Sequence, residues 1–170
     1  MSRAKRDILA GEGPVSSRLF KACYMGRLTD VERLIAEGGD VNFSNAEGAT
    51  CLIMACQGGH VRVAALLLSW GARINKATDD GTTPLFIAAR MGNEPLVSLL
   101  LEKGALVDAA SKDGITPLGF AAYDGHAAVV KRLLLAGADP LHRDIEGQIP
   151  LDAAILGNHP EVVALLVART

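Results

Sequence analysis

The sequence predicts an all-α fold, a solenoid of stacked helix–turn–helix units, and three observations carry that expectation. Pro84, Pro117 and Pro150 fall 33 residues apart, and Gly48, Gly81, Gly114 and Gly147 keep the same interval. A fixed period of this length marks one supersecondary unit repeated along the chain. Aromatic residues make up only 4% of the chain although 49% of it is hydrophobic, so the core is built from Leu, Ala and Val, which suits thin layers of short helices. The third observation is the order of signals within each period: a Gly turn, a Thr-Pro helix start, a break at Gly, a Leu-rich run and a Gly-Ala stop.

Laid out at this interval, the chain divides into an N-terminal extension of residues 1–13 and a single repeat domain of residues 14–170. The domain comprises a degenerate first unit (14–46), three full units (47–79, 80–112 and 113–145) and a truncated last unit (146–170). The first unit has Val15 in place of the turn glycine and Ser17-Arg18 in place of Thr-Pro, and reads as an N-terminal cap with two helices and no finger of its own.

Each element follows from the residues at its ends. In the unit "DGITPLGFAAYDGHAAVVKRLLLAGADP", Thr116 is placed to accept from free backbone amides as an N-cap, and Pro117 stands in the first turn, where its missing N–H costs nothing. Ala121 and Ala122 are small enough for neighbouring layers to approach, and Gly125 supplies the positive φ that ends the first helix. Gly26, Gly59 and Gly92 hold the same slot, and in the last unit it is Asn158, the next residue best able to adopt a left-handed conformation. The second helices, such as "PLVSLLLEKGA" and "VVKRLLLAGAD", have apolar faces that one helix pair cannot bury, so stacking is obligatory. Gly119 is the outlier. Within a helix it costs about 1 kcal/mol relative to Ala, and close packing is the only reason the sequence offers for it.

These residues resemble an ankyrin repeat: Asp-Gly, Thr-Pro-Leu, Ala-Ala, Gly-His, a valine- and leucine-rich helix, then Gly-Ala-Asp. The resemblance runs from about Pro14 to Thr170 and implies an ankyrin-repeat solenoid whose helix pairs are joined by β-hairpin-like loops. The His expected after Pro-Leu is replaced by Ile53, Phe86, Gly119 and Asp152, so the hydrogen bonding it supports between turns is expected to be weakened or replaced.

Composition and motifs exclude most other classes. A net charge of −2 gives no basic footprint for nucleic acid. No apolar run is long enough to span a bilayer, and the basic start "MSRAKRDILAGEG" lacks the apolar stretch of a secretory signal, while Asp7 and Glu12 fit a transit peptide badly. An intracellular protein, cytoplasmic or nuclear, is the expectation. Cys23, Cys51 and Cys56 each stand in an apolar helical stretch and are expected to be reduced and buried. Cys51, Cys56 and His60 form a Cys-x4-Cys-x3-His string, yet each occupies a repeat slot with a packing duty, so no metal site is expected. No Gly-x-Ser-x-Gly or phosphate-binding loop is present, and neither catalytic residues nor a cofactor are expected.

What remains is recognition, because stacked units offer an extended binding face. In the family that the chain resembles, partner contacts are made at the loop tips and at the two positions before the Gly that ends the first helix. Carried onto this chain, the helix positions are Tyr24 and Met25, Gln57 and Gly58, Arg90 and Met91, Tyr123 and Asp124, and Leu156 and Gly157. The tips are Glu47, Asp79, Asp80, Lys112, Asp113 and Glu146, acidic on balance, which favours a basic partner only slightly because Asp suits tight turns anyway. Tyr, Met and Arg are enriched in interface cores, so a protein partner is expected on this groove. A subunit locked permanently into a larger assembly is the alternative.

Three further expectations concern single places. Trp70, at the end of a second helix, is either a lid over the following loop or an anchor on the opposite, convex side. Asn42 and Asn75 occupy the Val-Asn slot that is often hydroxylated in animal members of the family that the chain resembles, and Asp108 and Leu141 replace it later. The last helix, "VVALLVA", has Ala164 and Leu165 where the preceding unit has Lys131 and Arg132, and around Leu165 it reads as a surface that is covered by something.

Overall fold

The computed structural model describes residues 13–169, so all but the last residue of the expected extension 1–13 lies outside the described residues. Ten α-helices are present among the described residues: α1 (Val15–Tyr24), α2 (Leu28–Ala36), α3 (Cys51–Gln57), α4 (Val61–Ser69), α5 (Pro84–Arg90), α6 (Glu94–Glu102), α7 (Pro117–Tyr123), α8 (Ala127–Leu135), α9 (Pro150–Leu156) and α10 (Pro160–Val167). From α3 onward short first helices alternate with longer second helices, as the repeat order predicts, whereas in the first pair α1 is longer than α2. The loops between pairs are turns, with one isolated antiparallel bridge, Ser44 to Thr50, among the described residues.

Helix starts are set by side chains. Thr50, Thr83 and Thr116 each accept, at 3.2 Å, from the backbone N–H three residues on, satisfying an amide that the first turn leaves free. The last unit has Ile149 at this position, which cannot accept. Its cap is supplied from the other direction: an Asp152 carboxylate oxygen accepts from the Ile149 N–H at 3.0 Å. Helix ends follow the glycines, and Asn158, with φ 58°, is the one non-glycine residue at positive φ among the described residues.

The helices group into two compact units, Met1–Arg73 and Ile74–Thr170. In the first, α1 packs on α2 and α3, α3 on α4, and α2 touches α4. Leu19, Cys23, Val31, Leu52, Cys56 and Leu67 are fully or almost fully buried there, and Phe20 meets Phe43 edge-on. In the second unit, first helices α5, α7 and α9 pack in sequence and second helices α6, α8 and α10 form a parallel series behind them. Leu85, Leu96, Leu100, Leu118, Leu133 and Leu166 supply its core, with Ala88, Ala89, Ala121, Ala122 and Ala154 at the close approaches. The aliphatic core that the aromatic-poor composition predicts is present in both units.

Loop order rests on repeated side-chain bridges. The Asn42 amide donates to the Gly71 carbonyl and its oxygen accepts from Arg73 N–H; Asn75 does the same with Gly104 and Leu106. Asp108, in the same slot, keeps only the accepting half, from Asp139 N–H. Successive hairpin tips of the second unit are stitched by Lys112 N–H to Asp80 and Ile145 N–H to Asp113. Gly114, at φ 75°, permits that approach, since a Cβ there would stand 3.0 Å from the Asp144 Cα.

Close packing does not explain Gly119. A Cβ at that position would meet its nearest neighbour, Ile115 Cγ2, at 3.4 Å, an ordinary contact, and the backbone is not in the left-handed region. The glycine is required by neither packing nor φ, and its effect is instead to leave the surface open beside α7.

Candidate functional site

The register set by the Thr caps decides which side chains reach the surface. In α5 the capped start turns Leu85, Ala88 and Ala89 inward, so the helix ends with half-buried Arg90 and exposed Met91. In α7 the same register buries Leu118, Ala121 and Ala122 and leaves exposed Tyr123 and half-buried Asp124; α9, which starts at Ile149 without a Thr, likewise leaves Leu156 exposed. Tyr123 is 46% exposed, Met91 49% and Leu156 69%. The first unit repeats the pattern at its own helix ends, where Tyr24, Met25 and Gln57 are exposed. All ten helix-end positions expected from the sequence, Gly58 and Gly157 included, thus reach solvent at least in part.

In the second unit these side chains are organised by ring contacts. Phe86 meets Phe120 edge-on at 5.3 Å, Phe120 meets Tyr123 at 6.3 Å, and the Arg90 guanidinium lies 5.9 Å from the Phe120 centroid. Arg over an aromatic face is attracted by the ring quadrupole, and the contact holds the long side chain against the surface. The backbone below is fixed too, because His126 Nε2 lies 2.9 Å from the Arg90 carbonyl; His60 Nε2 stands equally close to the Tyr24 carbonyl in the first unit.

Beyond Tyr123 the surface sinks into a pocket of about 540 Å³ between α7, α9 and the turns at 113–116 and 144–149. Gly119, Phe120, Tyr123, Ile145, Ile149 and Leu156 form its apolar wall. Asp113, Asp144 and Glu146 stand among the lining residues, and no lysine or arginine does. The sequence reading names Tyr123, Leu156, Asp113 and Glu146 but misses Gly119, Phe120, Ile145 and Ile149. A signal existed for Ile145: at the 33-residue interval it falls in the slot of Asp79 and Lys112, where an apolar residue 72% exposed is out of place.

The loop tips are all exposed but not equivalent. The Asp80 carboxylate accepts from the Thr78 hydroxyl and from Thr82 N–H, bonds that hold its carboxyl below the usual carboxylate range. Asp144 is likewise committed to its turn, accepting from Glu146 and Gln148 N–H. Glu146 takes the Gln148 side-chain amide at 3.2 Å. Glu47, Asp79, Lys112 and Asp113 are exposed tips.

The candidates for chemistry are otherwise engaged. Cys23, Cys51 and Cys56 are free thiols, each fully buried. Burial pushes the Cys56 thiol up to about 12, and the neighbouring Cys51 together with burial drives the Cys23 thiol far upward. A nucleophile needs the thiolate, which such surroundings disfavour. His60 faces the Tyr24 carbonyl. No helix among the described residues is long and apolar enough to cross a membrane.

Two remaining features sit away from these helix ends. Trp70 is 60% exposed at the C-terminus of α4. On α8, Arg132 pairs with Glu94 and Glu102 of α6; Leu165 holds the matching position of α10, half-buried, while Ile155 and Val167 are exposed and line a depression with Val163 and Ala164.

A family model described as ankyrin repeats (3 copies) matches residues 19–111 and 104–170. No curated relative matches the chain.

Proposed function

Because the chain belongs to the ankyrin-repeat family, whose repeats are generally protein–protein interaction modules, we propose that it is a non-enzymatic adaptor or scaffold that binds a partner protein through its first-helix ends and loop tips. One observation carries this reading: the first helices bury Leu19, Ala55, Ala88, Leu118 and Ala121 completely, yet end in large exposed side chains, Tyr24, Met25, Met91, Tyr123 and Leu156. Residues of this kind supply binding energy when a partner desolvates them, and held on a packed scaffold they lose little entropy in doing so. On this reading residues 14–170 act as one recognition domain capped by 14–46, and the three reduced thiols fit an intracellular setting. A second reading, a subunit held permanently in a larger assembly, is favoured by the exposed Ile155 of α9 and Val167 of α10.

The test is affinity capture from the native cell extract with the parent chain and with Arg90→Glu combined with Tyr123→Ala. Both positions lie at the surface of a rigid helix pair, so circular dichroism stays unchanged while the captured partner is lost, at a cost of about 2–4 kcal/mol for such anchors. Equal capture by both chains rules out the first-helix face. Aggregation of the isolated chain, relieved only by co-expressed partners, supports the assembly reading.

A further inference from the structure

We propose that the pocket beside Gly119 seats a bulky apolar side chain of a partner peptide whose flanking residues are basic; the proposal rests on the first-helix face being the binding face. The pocket is large enough, at about 540 Å³, and lies in the range typical of ligand-binding clefts. Its walls are apolar and stand open: Ile145 is 72% exposed and Leu156 69%. The opening depends on Gly119, because a Cβ there already makes ordinary contact with Ile115 and any larger side chain grows into the pocket beside Phe120.

Charge selects the flanks. Asp113, Asp144 and Glu146 ring the pocket with no lysine or arginine among the lining residues. The cations of the neighbouring turns stand outside the lining: Arg143 donates to the Gly147 carbonyl, and Lys112 does not line the pocket. His142, the one other ionisable ring there, points Nε2 at the Gly114 carbonyl at 3.1 Å. Asp144 and Glu146 are hydrogen-bonded within their turn, which fixes their position but leaves their charge. An apolar anchor therefore brings Lys or Arg neighbours within reach of three carboxylates, and an acidic flank meets like charge. Arg90 does not line the pocket; its guanidinium is held over the Phe120 ring, 5.9 Å from the centroid.

A displayed library of random 12-residue peptides, selected on the parent chain, tests this. The expected result is enrichment of a large aliphatic or aromatic residue next to Lys or Arg, with binding that weakens as salt is raised. Gly119→Leu and Ile145→Lys are each expected to weaken such peptides by on the order of tenfold, while Gly119→Ala retains them. Ile145 is on the surface, so its variant reports on the pocket even if Gly119→Leu folds poorly. Selected peptides that survive both variants but are lost with Arg90→Glu and Met91→Ala overturn the pocket and leave the first-helix face standing. Peptides indifferent to Gly119→Leu, Ile145→Lys, Arg90→Glu and Met91→Ala overturn both. Selection of acidic or uncharged flanks, or of no peptide at all, overturns the proposal.

Discussion

The imidazole of His126 reaches back one repeat to the main-chain carbonyl of Arg90, at 2.9 Å. That carbonyl lies in the last turn of α5, where helices leave acceptors without an internal partner. Donation requires the proton on Nε2. The bond fixes the backbone directly beneath the Arg90 and Met91 side chains, so the same residue pair that ties two repeats together also holds the candidate binding surface still. The ring leaves no space for a side chain at Gly92, where a Cβ would stand 2.6 Å from His126 Nδ1.

Replacing His126 with Ala is therefore expected to cost about 1–2 kcal/mol of stability, from the lost bond and the unsatisfied carbonyl. Gly92→Ala is expected to be costly in the parent and less so in the His126→Ala background, where only the positive-φ penalty of about 1–2 kcal/mol remains. Urea unfolding of the two single variants and the double variant measures the coupling. Additivity within about 0.5 kcal/mol means that the ring and the glycine do not constrain one another.

The origin of this bond also marks how far the sequence could be read. The repeat interval, the Thr caps and the left-handed Asn158 were legible because each is a local backbone requirement with a characteristic residue. The Gly-His slot was visible as a pattern, but the target of the ring lies 36 residues away and emerges only when helix pairs stack. The exchange of cap at Ile149, with Asp152 accepting in place of a Thr, was hidden for a similar reason: Asp152 stood out as a missing His and its role was supplied by geometry. Of the candidate site, the helix ends were legible through the family resemblance, carried onto the two positions before each terminating Gly or Asn. The pocket was not: Gly119 stood out as a glycine inside a helix and Ile145 as an apolar residue in a polar slot, but that the two line one pocket emerges only when α7 stacks against the turn that follows it in the next repeat.

Gly119→Ala separates these two explanations of the glycine. With ordinary space for a Cβ and no left-handed φ, alanine is expected to raise stability by about 0.5–1 kcal/mol through helix propensity and a smaller unfolded-state entropy. A rise in the thermal midpoint with unchanged circular dichroism is the expected readout. A lower midpoint restores close packing as the reason for glycine.

Asp80 gives a pH dependence with a definite sign. Its carboxyl is held below the usual range, first by the Thr78 hydroxyl and also by Thr82, so the folded chain prefers the ionised form more than the unfolded chain does. The contribution is fully present above the unfolded value of about 3.9 and fades as pH falls through the lower folded value. Asp80→Asn, which resembles the protonated form, is expected to be less stable than the parent near neutrality and equal to it in strong acid. Thermal melts across that range follow the difference; one that stays constant with pH shows that the Thr78 contact does not depend on charge.

The final helix offers the sharpest contrast between a buried and a surface position. Val162 and Leu166 are fully buried against the preceding layer, so α10 has an inner face of its own, and Leu165 is only half-buried. Exposed Ile155 and Val167 flank a shallow apolar depression on the outside, lined also by Pro160 and Val163. Apolar surface of this kind marks an interaction site or an aggregation liability. Leu165→Lys, at the position where Arg132 makes its ion pairs one repeat earlier, keeps its aliphatic stem on the surface and adds a charge. It is expected to leave stability within about 1 kcal/mol, as is Ile155→Lys, whereas Val162→Lys unfolds the last repeat. If the outer face is a contact, both tolerated lysines reduce self-association or co-assembly, read by light scattering over a concentration series. Unchanged association with both lysines in place shows that the contact, if there is one, lies on the first-helix ends instead.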